Sequence, residues 1–305
     1  MKSKENKKKL RYGENPNQIA YLISRNKKSI LECQISGKKI SYNNIIDLDS
    51  GLKCLSEFSE PTSIIVKHTN PCGVASSKNI IKAFEKSYES DPKSAFGGII
   101  FLNRKVNLYL AEKIIKNFYE MVAATDFDED AINLLKKKKN LILIIIPKIK
   151  NQLSEKRSTL FGEIYQTRDL TPIDKNFISL VSQKRNSSKS IEDLLFSLKV
   201  VKHLKSNSIV LAKNKQTVGL GLGQTNRIDA LKFAIKNKND FFKKKSFVCA
   251  SDGFFPFTDG INLLNKNGCK VIAQPSGSIN DKNIINFANK QKVSLYFVKN
   301  RLFKH

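Results

Sequence analysis

Short apolar runs alternate with amphipathic segments along most of the chain, and this order occurs twice. The runs at 62–66, 99–102 and 141–146 are short enough for strands and continuous enough to be buried on both faces. Between them Ile80, Ile81, Phe84 and Tyr88 recur at helical spacing over 80–90, and 106–119 is a second expected helix. Residues 150–189 are polar with little sustained periodicity, and 183–190 reads as a linker. The alternation then resumes with helices expected over 191–205, 227–237, 260–267 and 283–290. Strands are expected over 208–212, 217–220, 247–250, 270–273 and 293–297. Such alternation predicts an α/β sandwich, and the repeated order predicts a duplicated α/β unit, although the halves share too little identity to establish it. The expected organisation is a disordered basic tail over 1–9, a first unit with its connecting segment over 10–182, and a second unit over 183–305.

Composition narrows the function classes. Hydrophobic residues make up 40% of the 305, enough for sizeable cores. The longest apolar run, 141–146, is far short of the ~20 residues a membrane span needs, and no apolar segment follows the charged N-terminus as a secretory signal requires. The five cysteines form no CxxC pair, so they read as reduced thiols and the expected location is cytoplasmic. A net charge of +27 raises nucleic-acid binding as a competing reading. Yet 46 of the 54 basic residues are Lys and only eight are Arg, the residue that makes bidentate base contacts. The lysines are scattered, with local runs at 7–9, 136–139 and 243–245. Abundant Lys, Asn and Ile with no Trp match the codon bias of an AT-rich genome. No specific nucleic-acid partner is expected, though the charge favours recruitment of anionic substrates.

Five polar blocks punctuated by Gly, Pro or Asn interrupt this background: RYGENPNQ (11–18), KHTNPCG (67–73), SAFGG (94–98), QTNRID (224–229) and SDGFFPFTDG (251–260). Turn-forming residues beside reactive side chains mark loop positions, where function concentrates. Lys67 and His68 end an apolar run and precede an expected turn at Asn70-Pro71. His gains and loses a proton near neutrality, and a neighbouring Lys disfavours the imidazolium while stabilising developing negative charge. Of the other two histidines, His203 and the terminal His305 read as structural. Pro71-Cys72 invites comparison with zinc deaminases, but the second Cys of P-C-x-x-C is missing and no HxE occurs, so no metal site is expected. The run GLGLG (219–223) lacks the rest of a nucleotide-binding pattern and reads equally as a tight strand-to-helix connection. Arg227 is placed to hold an anion, and Phe254, Phe255, Pro256 and Phe257, bracketed by Asp252 and Asp259, suit a flat heteroaromatic ring.

Together these residues resemble the formyltransferase domain of the AICAR transformylase family, where AICAR is 5-aminoimidazole-4-carboxamide ribonucleotide. The resemblance rests on eight blocks in the family's order: RYGENPNQ, KHTNPCG, SAFGG, KSNSIVLAKN, GLGQTNRID, ASDGFFPFTDG, QPSGSI and NRLFKH. It implies transfer of a formyl group from the co-substrate 10-formyltetrahydrofolate to the 5-amino group of AICAR. By that pattern His68 is the general base and Lys67 stabilises the oxyanion. Arg11, Tyr12, Gly97 and Glu120 hold the nucleotide, Asn207 and Arg227 complete its site from the partner of a homodimer, and Arg301 meets it from the C-terminal segment. Ile228, Phe254, Pro256, Asp259 and Ser278 line the folate pocket. The implied fold is two tandem cytidine-deaminase-like α/β units without zinc.

The sequence departs from the family in three places. The IMP cyclohydrolase half normally precedes RYGENP, and with nine residues before Leu10, ring closure is not expected of this chain. Ala124-Thr125 stands where the family has Ala-Pro, and Asn17 where it often has His. The competing readings are a basic nucleic-acid-binding protein and a repurposed structural protein. Scarce arginines argue against the first, and the intact Lys67, His68, Asn207 and Arg227 against the second.

Overall fold

The structure, a computed structural model, describes residues 6–24, 29–147, 153–242 and 246–305. A ribbon of β1 (Asn6–Lys9) and β2 (Tyr21–Ser24) leads into β3 (Gln34–Ser36) and α1 (Tyr42–Leu55). Then come the hairpin β4 (Thr62–Lys67) and β5 (Asn70–Ser76), α2 (Ile80–Ser90) and the single turn α3 (Pro92–Ala95). The unit closes with β6 (Ile99–Leu102), α4 (Leu108–Ile114), β7 (Met121–Ala124), α5 (Glu129–Leu135) and β8 (Ile142–Ile145). An exposed hairpin, β9 (Ser154–Thr159) and β10 (Gly162–Thr167), follows. The second unit is β11 (Ile178–Leu180), α6 (Ser188–Val201), β12 (Ile209–Ala212), β13 (Thr217–Gly221), α7 (Arg227–Phe241) and β14 (Phe247–Ser251). It ends with α8 (Asp259–Lys266), β15 (Cys269–Pro275), α9 (Asp281–Lys290) and β16 (Ser294–Val298).

The two sheets have the same topology. The first is ordered β3-β8-β7-β6-β4-β5 and the second β11-β16-β15-β14-β12-β13. Pair by pair, the parallel and antiparallel contacts correspond: β6-β7-β8 and β14-β15-β16 are parallel, and the remaining pairs are antiparallel. The structure therefore carries the duplicated α/β unit.

Strand alternation sorts the core into layers. Ile64 and Val66, Ile99 and Phe101, Met121 and Ala123 face inward, as do Val210 and Ala212, Val248 and Ala250, Val271 and Ala273. These two faces enclose α1 and α6, whose Leu48, Leu194 and Leu198 are buried in the same cluster. The intervening residues, such as Ile65, Ile100 and Val122, face α2, α4 and α5 on one outside. Ile209, Cys249 and Ile272 face α7, α8 and α9 on the other. The order is helix–sheet–helix–sheet–helix, and each fully buried Ile, Leu or Phe contributes roughly 1.5–3 kcal/mol.

Several sequence expectations need correction. Asn6–Lys9, expected within a disordered tail, pairs antiparallel with Tyr21–Ser24; residues 1–5 lie outside the described residues. The lysine run 243–245 also lies outside them. Asn70-Pro71, expected as a turn, opens β5; the turn is His68-Thr69. β11 precedes residue 182 yet pairs with β16 of the second sheet, and α6 begins at Ser188 inside the expected linker. α6 stops at Val201, so His203 follows the helix. α1, β7 and α5 had no counterpart in the sequence reading. α1 is specified by a reciprocal cap: Ser41 Oγ accepts the Asn44 N–H, and Asn44 Oδ1 accepts the Ser41 N–H.

Candidate active site

Lys67 ends β4 and His68 begins its two-residue connection to β5. His68 and Thr69 both have positive φ, 52° and 65°. That geometry suits the primed hairpin turns, which ordinarily take Asn or Gly; a β-branched Thr there is strained. α1 holds the turn from one face. Asp47 Oδ1 accepts the Thr69 N–H at 2.5 Å, and Ser50 Oγ donates to the Thr69 carbonyl at 2.5 Å. Lys304 Nζ reaches Ser50 Oγ at 3.4 Å and the His203 carbonyl at 2.9 Å, tying the turn to the C-terminal segment. His68 is exposed to solvent.

The remaining first-unit residues join this turn through a chain of contacts. Lys67 Nζ donates to the Phe96 carbonyl at 2.8 Å, beside Gly97 with its φ of 74°. The Gly98 carbonyl accepts the Glu120 N–H at 3.0 Å, and Glu120 pairs with Lys38 at 2.6 Å. From that loop the Ile40 carbonyl accepts the Arg11 N–H at 2.9 Å. Arg11 donates to Tyr12 Oη at 2.7 Å and lies over its ring, while its buried Nε has no partner among the described residues. Arg11, Tyr12, Lys67, His68, Gly97 and Glu120 thus share one end of the first sheet. It is the end where β4 finishes and β6 and β7 start.

A second cluster sits at the opposite end of the second sheet, where β13 to β16 finish. Arg227, the first residue of α7, is buried. It pairs with the fully buried Asp252 and donates to Ser251 Oγ at 2.9 Å and Asn207 Oδ1 at 2.7 Å. Asp252 also accepts the Ser208 N–H at 3.0 Å. Gly253 permits this packing, since a Cβ there would stand 2.3 Å from Arg227 Nη2. Both guanidinium groups approach the Phe303 ring, Arg227 at 6.0 Å and Arg301 at 4.7 Å from its centroid. Asn207, Gln224, Phe303 and His305 border a pocket of about 280 Å³, so His305 faces the cluster.

The expected folate residues surround the same end. Ile228 follows Arg227 on α7, and Phe254 and Pro256 belong to the loop after β14. Asn280 Nδ2 donates to the Pro256 carbonyl at 2.9 Å, joining that loop to the one carrying Ser278. Asp259 opens α8, its Oδ1 accepting the Gly260 N–H at 2.8 Å. Phe255 belongs to the core, whereas Phe257 is exposed. The two clusters approach where Asn70 Oδ1 accepts the Lys205 N–H at 3.3 Å. Among the described residues no hydrogen bond joins an expected site residue of one cluster directly to one of the other.

Other motifs resolve plainly. Gly219 and Gly221 pack on α7: a Cβ would meet the Ala234 carbonyl oxygen at 2.2 Å and that of Ala230 at 1.8 Å, so GLGLG serves helix–strand packing. Burial, with the Asp91 charge adding to it, pushes the Cys72 thiol up to about 12, which keeps it un-ionised near neutrality. Among the described residues no group of three His, Cys, Asp or Glu side chains is placed to hold a metal, and no helix is long and apolar enough to cross a membrane. Burial pushes the His203 imidazole below its ordinary value, and its ring meets Glu57 at 3.2 Å, a structural role as expected. Sequence reasoning missed Lys38, Asp47, Ser50 and Lys304. Asp47 and Ser50 lie on the unrecognised α1, whose Ser41 cap was its one local signal.

Polar clusters held at loop positions around paired sheets have the layout of an enzyme site on an α/β scaffold. The chain belongs to the AICARFT/IMPCHase bienzyme family, whose model matches residues 1–237. It is 47% identical to the bifunctional purine biosynthesis protein PurH of Caldicellulosiruptor saccharolyticus, over 99% of this chain and 60% of that protein. The protein of the same name from Thermoanaerobacter sp. is 46% identical over 97% of this chain and 58% of its own length. That from Buchnera aphidicola subsp. Schizaphis graminum is 45% identical over 98% and 59%. The chain therefore spans about 60% of the length of these curated relatives.

Proposed function

We propose that this chain transfers the formyl group of 10-formyltetrahydrofolate to the 5-amino group of AICAR in purine biosynthesis. The observation that carries the reading is the Lys67-His68 turn, which holds an exposed imidazole beside a lysine. The amine of AICAR is a poor nucleophile because its ring and carboxamide withdraw the lone pair. As it attacks the formyl carbon, His68 takes its proton, an effect worth ~10²–10⁴-fold. The carbonyl oxygen becomes an oxyanion, which the Lys67 ammonium stabilises. One Lys67 donor is engaged by the Phe96 carbonyl, and two others remain to point at that oxygen. Collapse breaks the bond to N10 of tetrahydrofolate, which leaves with a proton.

In this reading Arg11, Tyr12, Gly97, Glu120, Asn207, Arg227 and Arg301 hold the nucleotide, and Ile228, Phe254, Pro256, Asp259 and Ser278 line the folate pocket. The two units are cytidine-deaminase-like and work without zinc. The protein acts in the cytoplasm as a homodimer in which the partner supplies Asn207 and Arg227, as the family resemblance implies. The test is an assay with AICAR and 10-formyltetrahydrofolate. His68→Ala should nearly abolish turnover while AICAR still binds, and Lys67→Ala should lower kcat more than it raises KM. Near-normal turnover in His68→Ala would sink the assignment. For the shared site, hybrid dimers of His68→Ala and Asn207→Ala subunits should regain one intact site. Verified hybrids that stay inactive would overturn the partner contribution.

A further inference from the structure

Each unit has an aspartate six residues past the N-cap serine of its central helix, Asp47 after Ser41 and Asp193 after Ser187. Each aspartate faces its own unit's two-residue hairpin turn, and the two turns correspond: His68-Thr69 and Asn214-Lys215 all have positive φ. The aspartates use their oxygens differently. Asp193 clamps the second turn with both, Oδ2 accepting the Asn214 N–H at 2.9 Å and Oδ1 the Lys215 N–H at 2.7 Å. Asp47 Oδ1 accepts the Thr69 N–H, and among the described residues its Oδ2 accepts no hydrogen bond; the His68 amide goes to neither oxygen. Asp47 is only part-buried, whereas Asp193 is buried.

We propose that Asp47 is a positioning residue for His68: one oxygen fixes the Thr69 peptide and so the strained turn, and the other orients the imidazole. A carboxylate that orients the catalytic imidazole keeps it in a productive pose. The charge of His68 acts on Asp47, pulling its carboxyl down against the upward push of burial, so the two side chains lie within electrostatic reach. Ser50, one turn further along α1, holds the carbonyl side of the same peptide. The inference rests on His68 being the base.

Asp47→Asn is nearly isosteric and retains an acceptor for the Thr69 N–H while losing the charge. Its kcat with AICAR and 10-formyltetrahydrofolate should fall about 10²-fold, the scale of a misplaced catalytic group, with KM for AICAR little changed. Asp193→Asn, at the corresponding position of the other unit, should leave kcat unchanged. In a His68→Ala background, Asp47→Asn should lower the residual rate no further, because it acts through His68. Wild-type kcat in Asp47→Asn, an equal loss in Asp193→Asn, or additive losses in the double variant would each overturn the proposal. Should Asp47→Asn not fold, Asp47→Ser, which keeps a small hydroxyl acceptor, takes its place under the same outcomes. If His68→Ala alone keeps normal turnover, the base assignment has failed instead.

Discussion

The two units are built to one topology, yet the expected site residues occupy opposite ends of their sheets. In the first unit they gather at the hairpin turn after β4, and in the second at the carboxyl ends of the parallel strands. The positions correspond closely enough to show what each unit lacks. Ser208 and Asp252 bond as Thr62 and Asn103 do, with the Asp252 or Asn103 side chain accepting the opposite N–H. Arg227 is the first residue after the N-cap Asn226, and Ile80 the first after the N-cap Asn79. An Arg-Asp pair in one half thus matches Ile and a neutral Asn in the other. His68-Thr69 in one turn matches Asn214-Lys215 in the other. Each unit has both of the corresponding sheet ends, and the expected site residues occupy only one end in each. The packing is reciprocal: Asn70, just after the first turn, bonds the segment leading into β12, and Lys215 of the second turn pairs with Glu60 ahead of β4.

The largest stability difference should fall at the corresponding Asp252 and Asn103 positions. Arg227→Ala leaves the fully buried Asp252 without its cation, a loss of about 3–5 kcal/mol. Asn103→Ala orphans the Thr62 N–H and the Phe58 carbonyl, and leaves the Glu60 carbonyl with the Thr62 hydroxyl alone, at a cost of about 1–3 kcal/mol. Urea unfolding of both variants measures the gap. Equal losses would mean the buried pair is no more demanding than the neutral contact it replaced.

The turns should differ in the opposite direction. Thr69 holds a β-branched side chain at positive φ, where strain is on the order of 1–3 kcal/mol, whereas Asn tolerates that region. Thr69→Gly should therefore stabilise the chain by about 1 kcal/mol after the entropy cost of glycine, while slowing turnover as the turn loosens. Asn214→Gly should change stability by less than about 0.5 kcal/mol. A Thr69→Gly protein less stable than wild type would show that the side chain, not the backbone, holds the turn.

Much of this comparison was legible in the sequence because both outer layers rest on continuous apolar strands. The helix over 80–90 and the strand over 99–102 were read to the residue, since Ile80, Ile81, Phe84 and Tyr88 recur at helical spacing, with Phe84 buried and the other three packed against the same cluster, and Ile99–Leu102 is apolar throughout. The central helix α1 was not. Asn, Asp, Ser and Gly interrupt YNNIIDLDSGLKCL, and those residues are there to meet the turn and to let Phe101 approach Gly51. The site blocks were recognisable from their Gly, Pro and Asn, but the corresponding Thr62–Asn103 contact and the two aspartates have no local mark. They show only when the sheets are superposed in register.

The smallest expected effect separates the two aspartates by pH. Burial holds the Asp47 carboxyl above its ordinary range, with the Thr69 N–H and the His68 charge opposing it. The folded chain therefore keeps that proton longer than the unfolded chain does. Stability from this group is present at pH below the ordinary carboxylate value of about 4 and is lost as pH rises through the raised value. Asp47→Asn, which does not ionise, escapes that loss, so its stability relative to wild type should improve between about pH 4 and neutrality. Asp193→Asn should behave oppositely: an amide offers one acceptor oxygen to two N–H groups, and the variant loses about 1 kcal/mol at neutral pH. Thermal unfolding across that pH range measures both. If both variants lost stability in parallel at neutral pH, the carboxylate of Asp47 would be a turn clamp like its counterpart, and the asymmetry between the units would lie in the histidine alone.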